Sequence, residues 1–454
     1  MTKAEPSSPI NQDSTKMTGF MTEGASSMTS GKEKEPIGTL KSPLTYDFRR
    51  ICRGHVPSTT YATHGMHAFP ARFIPQIPHF FIRNYSETRD TILDPFCGSG
   101  TTLVEAQILG RNSMGADISP LARLVTVVKS TPIRPDQLRS TARRLLKRVK
   151  DFRGDRLDVE FPNRTYWFDS DVIKDLEIIR TSVDGIEEKT LRDFFRVCFS
   201  SIIRRVSRAD PDIWQPLITK NMRRVIERGR RIQTMQVFEK AVLSSIEGMS
   251  EFYGLVSSGV KSGEIRAEVI GGDAKSLDTK SREVQLIITS PPYINAHEYI
   301  RTHKLEMLWL GLVNADEIRR LQKEIIGNEY VLKRDYDHFH EFGLPELDET
   351  MGKIYRKDKL RAYVVYKYFE DMKKCILECH RVLGHGGVFC LTVGDNTIRG
   401  VQVGVHNFLA NIAADAGFSS IGVGVDRIRN RALATKRHFT EAYIDVEWML
   451  LFRK

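Results

Sequence analysis

The chain has 454 residues, 41% hydrophobic and 28% charged, with a formal net charge of +11. This composition can bury a core and excludes a wholly disordered chain, and the length calls for two domains or one large domain with an insertion. The basic surplus favours polyanionic partners, although a generic basic protein has the same balance. No apolar run has the length of a membrane span, the polar N-terminus lacks the apolar centre of a signal peptide, and the six cysteines follow no disulfide spacing. The expectation is a soluble protein of a reducing, cytoplasmic compartment.

Residues 1–42 are rich in Ser, Thr, Lys, Glu, Pro and Gly. Such a segment cannot offset its ordering entropy by burial and reads as a disordered tail. Structure is expected from about Tyr46, and "HFFIRNY" reads as a short helix. "DTILDPFCGSGTTLVEAQILGRNSMGADI" gives a strand, a glycine turn, a helix and a second strand. That is a βαβ pattern and implies a parallel sheet. From 131 to 263 the chain changes character: segments such as "LRDFFRVCFSSIIRRVSR" are long, charged and helically spaced, and predict a helical insertion between the second and third strands. The sheet resumes with "IRAEVIGGDA" and "VQLIITSPPY". After a mixed segment from about 296 to 362, "YFEDMKKCILECHRVL" predicts a helix, "GHGG" its stop and "VFCLTVGD" a strand. The C-terminal "YIDVEWMLLFRK" alternates like a final strand.

The first glycine turn has chemistry written into it. Asp94 to Thr102 join a strand to a helix, and Gly98 and Gly100 permit a sharp turn and close approach of backbone to a ligand. The helix start offers free N–H groups. The loop lacks the lysine of a phosphate-cradling loop and the third glycine of the dinucleotide pattern. Asp117 closes the second strand, where an acid accepts hydrogen bonds from ribose hydroxyls. A ribose acid beside a loop not built for phosphate suits S-adenosylmethionine.

"LDPFCGSGTTLVEA" closely resembles the cofactor loop of the amino-methylating DNA methyltransferases. That resemblance implies an α/β, Rossmann-like S-adenosylmethionine-dependent methyltransferase sheet, mostly parallel with an antiparallel final strand. It assigns the methionine part of the cofactor to Asp94, Phe96, Gly98, Gly100 and Thr101. "HAFPARF" resembles the family's other cofactor motif and places Pro70, Ala71, Arg72 and Phe73 near the methionine end; a proline-rich packing arm is the alternative. Asp273, in "GGDA", falls where such folds bind the adenine amino group, or is an ordinary turn aspartate.

The second motif, Ser290, Pro291, Pro292 and Tyr293, ends an apolar strand. Two prolines cannot continue a ladder and leave carbonyls pointing outward. A hydroxyl and a fixed carbonyl can both accept hydrogen bonds from an –NH₂ group. An exocyclic base amine needs such help, because its lone pair is delocalised into the ring; in-line displacement then depends on positioning and electrostatics. Tyr293 can stack on a base removed from the helix. The stretch resembles the Ser/Asp/Asn-Pro-Pro-Tyr/Phe motif of the same family, in which Ser usually accompanies cytosine N4 methylation and Asp or Asn adenine N6 methylation. The absence of a Pro-Cys dipeptide disfavours the covalent route to C5-methylcytosine.

The chain thus divides into a tail (1–42), a cofactor-binding half (43–130), a helical insertion (131–263) and a catalytic half (264–454). The resemblance implies double-stranded DNA as substrate and a companion restriction endonuclease as partner, with adenine-N6 or RNA amino methylation as rivals. Within the insertion, Arg204, Arg205, Arg223 and Arg224 are expected to contact DNA, or to form a solvated face. No metal is expected: Cys375, Cys379 and His380 share one helix without a second ligand pair, and His297 and His303 are not four apart.

Overall fold

The computed structural model describes residues 39–294, 299–428 and 445–454. The expected tail to residue 38, and His297 and Glu298, lie outside the described residues.

Ten strands are described: β1 (Leu44–Thr45), β2 (Thr91–Asp94), β3 (Asn112–Gly115), β4 (Ala267–Val269), β5 (Val284–Thr289), β6 (Leu383–Gly394), β7 (Asn396–Ile398), β8 (Val401–Val403), β9 (Ser419–Arg427) and β10 (Val446–Arg453). Eight form one sheet in the order β1-β9-β10-β6-β5-β2-β3-β4, and β7 and β8 make a separate hairpin. From β4 across to β6 every pairing is parallel. Strand β10 runs antiparallel to both β6 and β9. The sheet is therefore mostly parallel with a reversed final strand, the Rossmann-like methyltransferase arrangement.

The strands read as continuous apolar runs because both faces of the sheet are covered. Ile92, Leu286, Ile288, Cys390, Met449 and Leu451 enter one apolar cluster. Their immediate neighbours Leu93, Ile287, Phe389, Leu391, Leu450 and Phe452 enter the other. This is the two-residue period of a strand, expressed as two cores rather than as a wet and a dry face.

Helices between β3 and β4 occupy the first face. Lys189–Val206 contributes Phe194, Phe195 and Phe199 to the same cluster as Ile92 and Leu286. Trp309, fully buried, meets the edges of Phe161, Phe168 and Phe199. The Thr234–Leu255 helix approaches the Ala62–Gly65 turn so closely that a Cβ on Gly248 would stand 2.5 Å from the Ala62 carbonyl oxygen. Thus the helical segment is packed onto the sheet through shared apolar surface.

One boundary differs from expectation. The long helix ends at Val382, and "GHGG" lies inside β6 rather than before it. Opposite β5 the register jumps between Val284 and Leu286, and Gly386 has φ +74. The glycines absorb a bulge in the strand instead of stopping the helix.

Candidate active site

At the carboxyl ends of β2, β3, β4 and β5 the chain leaves a cleft that is open to solvent. It sits where the helical connections diverge between β2 and β5, the usual ligand position in an open α/β sheet.

Its floor is the glycine turn. Gly98 has φ +50 and lines the cleft, and its N–H donates to Asp117 Oδ2 at 2.9 Å. Gly100, at φ +77, caps the Thr101–Ile108 helix; a Cβ there would come within 3.0 Å of Thr126, away from the cleft. Gly100 is not among the residues lining the cleft, and its conformation shapes the loop. Phe96 and Thr101 line the cleft beside Gly98.

Asp94 joins the two motifs. Its Oδ2 accepts from Thr102 Oγ1 at 2.7 Å, and Oδ1 accepts from Thr289 Oγ1 at 2.6 Å and from the Phe96 N–H at 3.1 Å. Burial pushes its carboxyl up to about 6, against these three hydrogen bonds, and Asp117 adds to the rise. One carboxylate therefore ties the end of β2 to the first turn of the following helix and to the residue before Ser290. Neither threonine stands out in the sequence, although each adjoins a motif.

Asp117 stands two residues past β3. Its Oδ1 accepts from the Ser119 N–H at 2.8 Å while Oδ2 takes that of Gly98. Burial raises its pKa, and the two backbone bonds oppose the rise. Two amides fix the carboxylate and leave each oxygen capacity for a hydroxyl, as a ribose diol requires. Asp273 also lines the cleft and accepts from the Lys275 N–H at 2.9 Å, so it caps its own turn within reach of a ligand.

The arm carrying Pro70, Ala71, Arg72 and Phe73 forms the opposite wall. It is held by Glu105, on the glycine-loop helix. Tyr61 Oη and His64 Nε2 meet Oε1 at 2.6 and 2.8 Å, and His79 Nδ1 meets Oε2 at 2.8 Å. The Arg72 guanidinium donates to the carbonyls of His64 (2.5 Å) and Thr59 (3.4 Å). No acidic side chain pairs with it among the described residues. A cation held by carbonyls alone, on a cleft wall, suits a ligand carboxylate. Ser99 adds a buried hydroxyl without a partner on the same cleft. These residues fit S-adenosylmethionine: an acid for its ribose, glycine backbone beneath it, and a cation for its amino-acid end.

Of the second motif, Ser290 and Pro292 line the cleft, and Pro291 is buried behind them. Tyr293 does not line it. Its Oη donates to Glu447 Oε1 at 2.8 Å, at the start of β10, and burial holds both groups above their ordinary pKa values. Besides Phe73 and Phe96, the cleft carries Tyr299 and Phe69, stacked at 6.4 Å with an interplanar angle of 20°. Sequence reasoning missed both, because it assigned base stacking to the motif tyrosine.

The four arginines separate. Arg204 is turned inward: it donates to the Trp214 carbonyl at 2.7 Å and lies over the Trp214 ring. Packing already engages this guanidinium, which sets Arg204 apart from the other three. Arg205, Arg223 and Arg224 are exposed. Among the described residues no group of three or more His, Cys, Asp or Glu could hold a metal ion, and no helix is long and apolar enough to cross a membrane.

A family model of N6/N4 methyltransferases, described as DNA methylase, matches residues 18–124, which contain the arm, the glycine turn and Asp117. The Type II methyltransferase M.MvaI of Kocuria varians is 26% identical over 383 residues, covering 76% of this chain and 80% of that protein. M.BsoBI of Geobacillus stearothermophilus, also a Type II methyltransferase, is 25% identical, with 86% and 85% covered. A SAM-dependent methyltransferase structure from Methanosarcina mazei covers 82% of this chain and 96% of that chain at 10% identity, with a TM-score of 0.29. With its glycine turn, Asp117 and Ser290 gathered on one cleft, the chain is similar to the amino-methylating DNA methyltransferases, and S-adenosylmethionine is the cofactor that these residues fit.

Proposed function

We propose that the chain transfers a methyl group to the exocyclic N4 of a cytosine in double-stranded DNA. The observation that carries this is the placement of Ser290 on the cleft floored by Gly98, with Asp94 bonded both to Thr102 in the helix after the glycine turn and to Thr289 at the end of β5. Bound S-adenosylmethionine supplies an electrophilic methyl group on a sulfonium. The protein's part is to present the amine. Ser290 accepts one amino hydrogen and a carbonyl of the Pro291–Pro292 segment the other, drawing the nitrogen lone pair out of conjugation. Tyr293, bonded to Glu447, fixes the outer end of that segment. Phe69 and Tyr299 give an aromatic wall against which an extruded base can rest.

Cytosine is favoured by serine at the first motif position: a neutral acceptor is shorter than the acid or amide usual in adenine enzymes. Exposed Arg205, Arg223 and Arg224 suit the helical segment 131–263 to DNA phosphates. A companion endonuclease reading the same sequence, in the cytoplasm, accords with the Type II names of the relatives. Nucleoside analysis of duplex DNA methylated in vitro tests the assignment. N4-methylcytosine is expected; N6-methyladenine would refute the choice of base and leave the reaction class standing.

A further inference from the structure

Beneath the glycine turn lies a buried lysine that touches neither the methyl donor's ribose acid nor the amine-binding motif. Lys129, in the last turn of the Pro120–Ser130 helix, is 0% exposed. Its Nζ donates to the Ser99 carbonyl at 2.6 Å, and no carboxylate pairs with it among the described residues. A buried, unpaired ammonium is costly. Its charged and titratable neighbours supply no anion. Arg72 approaches from the arm, and Cys97 from the loop is a neutral thiol pushed well above its ordinary pKa by burial. His64 and His67, also from the arm, are held neutral by burial, at about 4. Ser99, whose carbonyl Lys129 grips, turns an unpartnered hydroxyl to the cleft. Two cations without an anion therefore flank one end of the cleft, one in its wall and one under its floor.

We propose that Lys129 is a positioning residue of the cofactor site: it holds the Ser99 carbonyl from below and, with Arg72, sets the positive potential that selects a ligand bearing an α-carboxylate. The proposal rests on the reading of the cleft as an S-adenosylmethionine site. It assigns the buried charge a use, since the ligand's carboxylate is the counter-ion the fold omits. It also fixes a pH dependence. Burial and Arg72 bring the ammonium down to about 7 in the free protein. A nearby carboxylate raises it again, so the bound form holds more protons and affinity falls as pH rises through about 7.

Calorimetry on the full chain with S-adenosylhomocysteine and its decarboxylated counterpart tests this. The two ligands share the adenosine, thioether and amine. Lys129→Met should weaken S-adenosylhomocysteine about 10- to 100-fold, the scale of removing an interaction with a charged group, and leave the decarboxylated ligand nearly unchanged. The wild-type decline in affinity above about pH 7 should vanish in Lys129→Met and be absent in Lys129→Arg, which stays tight and charged. Thermal melts should show Lys129→Met folded, since replacing an unpaired buried charge by an apolar chain of similar shape is neutral or stabilising. Lys129→Gln keeps a donor without the charge and should behave toward the carboxylate ligand as Lys129→Met does. Equal weakening of both ligands, or wild-type affinity for S-adenosylhomocysteine in the Met and Gln variants, would overturn the proposal. If the wild type binds neither ligand, the cofactor reading itself falls and this inference with it.

Discussion

Asp94 should destabilise the fold that contains it. Its carboxyl, 3.8 in the unfolded chain, rises to about 6 on burial. An acid whose folded pKa is raised favours the fold when protonated, and that contribution is lost as pH climbs from the unfolded value through the folded one. The difference corresponds to roughly 3 kcal/mol above about pH 7, at about 1.4 kcal/mol for each tenfold change in acidity. Asp94→Asn removes the charge and can keep the geometry: the amide oxygen replaces Oδ1 toward Thr289 and Phe96, and the amide nitrogen can donate to the Thr102 hydroxyl. Urea unfolding of the cofactor-free protein should therefore give similar stabilities for wild type and variant near pH 4. A gap of up to about 3 kcal/mol in favour of the variant should open by about pH 8. Calorimetry should show the opposite trend for function, with S-adenosylhomocysteine binding weakened in the stabler protein, because the ligand's ammonium gains from the carboxylate. A gap that does not change with pH, or a variant less stable than wild type at about pH 8, would refute the argument.

Three further outcomes follow from the site. Ser290→Ala should bind S-adenosylhomocysteine as wild type does but transfer methyl about tenfold to a thousandfold more slowly in single turnover, the scale for one positioned polar contact. Tyr293→Phe should not be silent, because it strips the donor from the buried Glu447 carboxylate; a cost of about 1–3 kcal/mol is expected, shrinking as pH falls and Glu447 is protonated. Melts at two pH values check this, and an equal cost at both would disprove it. Neutralising Arg205, Arg223 and Arg224 should flatten the salt dependence of DNA binding by about 0.9 in logarithmic slope for each phosphate no longer neutralised, while the same change at Arg204 should lower stability instead.

The strands around the site were legible because burial on both faces leaves unbroken apolar runs: "TILD" and "VQLIIT" could hardly be anything else. Strand β9 was not legible. "SSIGVGVDR" interrupts its pattern with glycines, and only the packed fold explains one of them: a Cβ on Gly424 would stand 2.7 Å from the Tyr46 ring. Direction was harder to read than type. Arg204 and Arg205 are adjacent and chemically identical, yet helix rotation sends one onto Trp214 and the other to solvent. Lys129 occupies the last turn of a helix, where a cation would ordinarily face water and favour the helix dipole. Nothing local marks it as buried, because its burial comes from the arm and the glycine turn closing over it.

The connection through Asp94 lay between these cases. Residue types alone do not predict a bond between positions 94 and 289. Strand order does. In this sheet β2 and β5 are parallel neighbours, with Ile92 opposite Leu286 and Leu93 opposite Ile287, so their carboxyl ends arrive together. An acid ending β2 and a hydroxyl ending β5 must then share a small space under the cleft, and each is the other's nearest means of satisfying a buried polar group. The cofactor turn and the amine-binding turn are consequently not two independent loops resting on a sheet. A change at Thr289, which does not itself line the cleft, alters the acid beneath the glycine turn, and loss of Asp94 frees the residue before Ser290. On the proposed function, one buried carboxylate holds the methyl donor and acceptor sites in mutual register, which is why its cost in stability can persist.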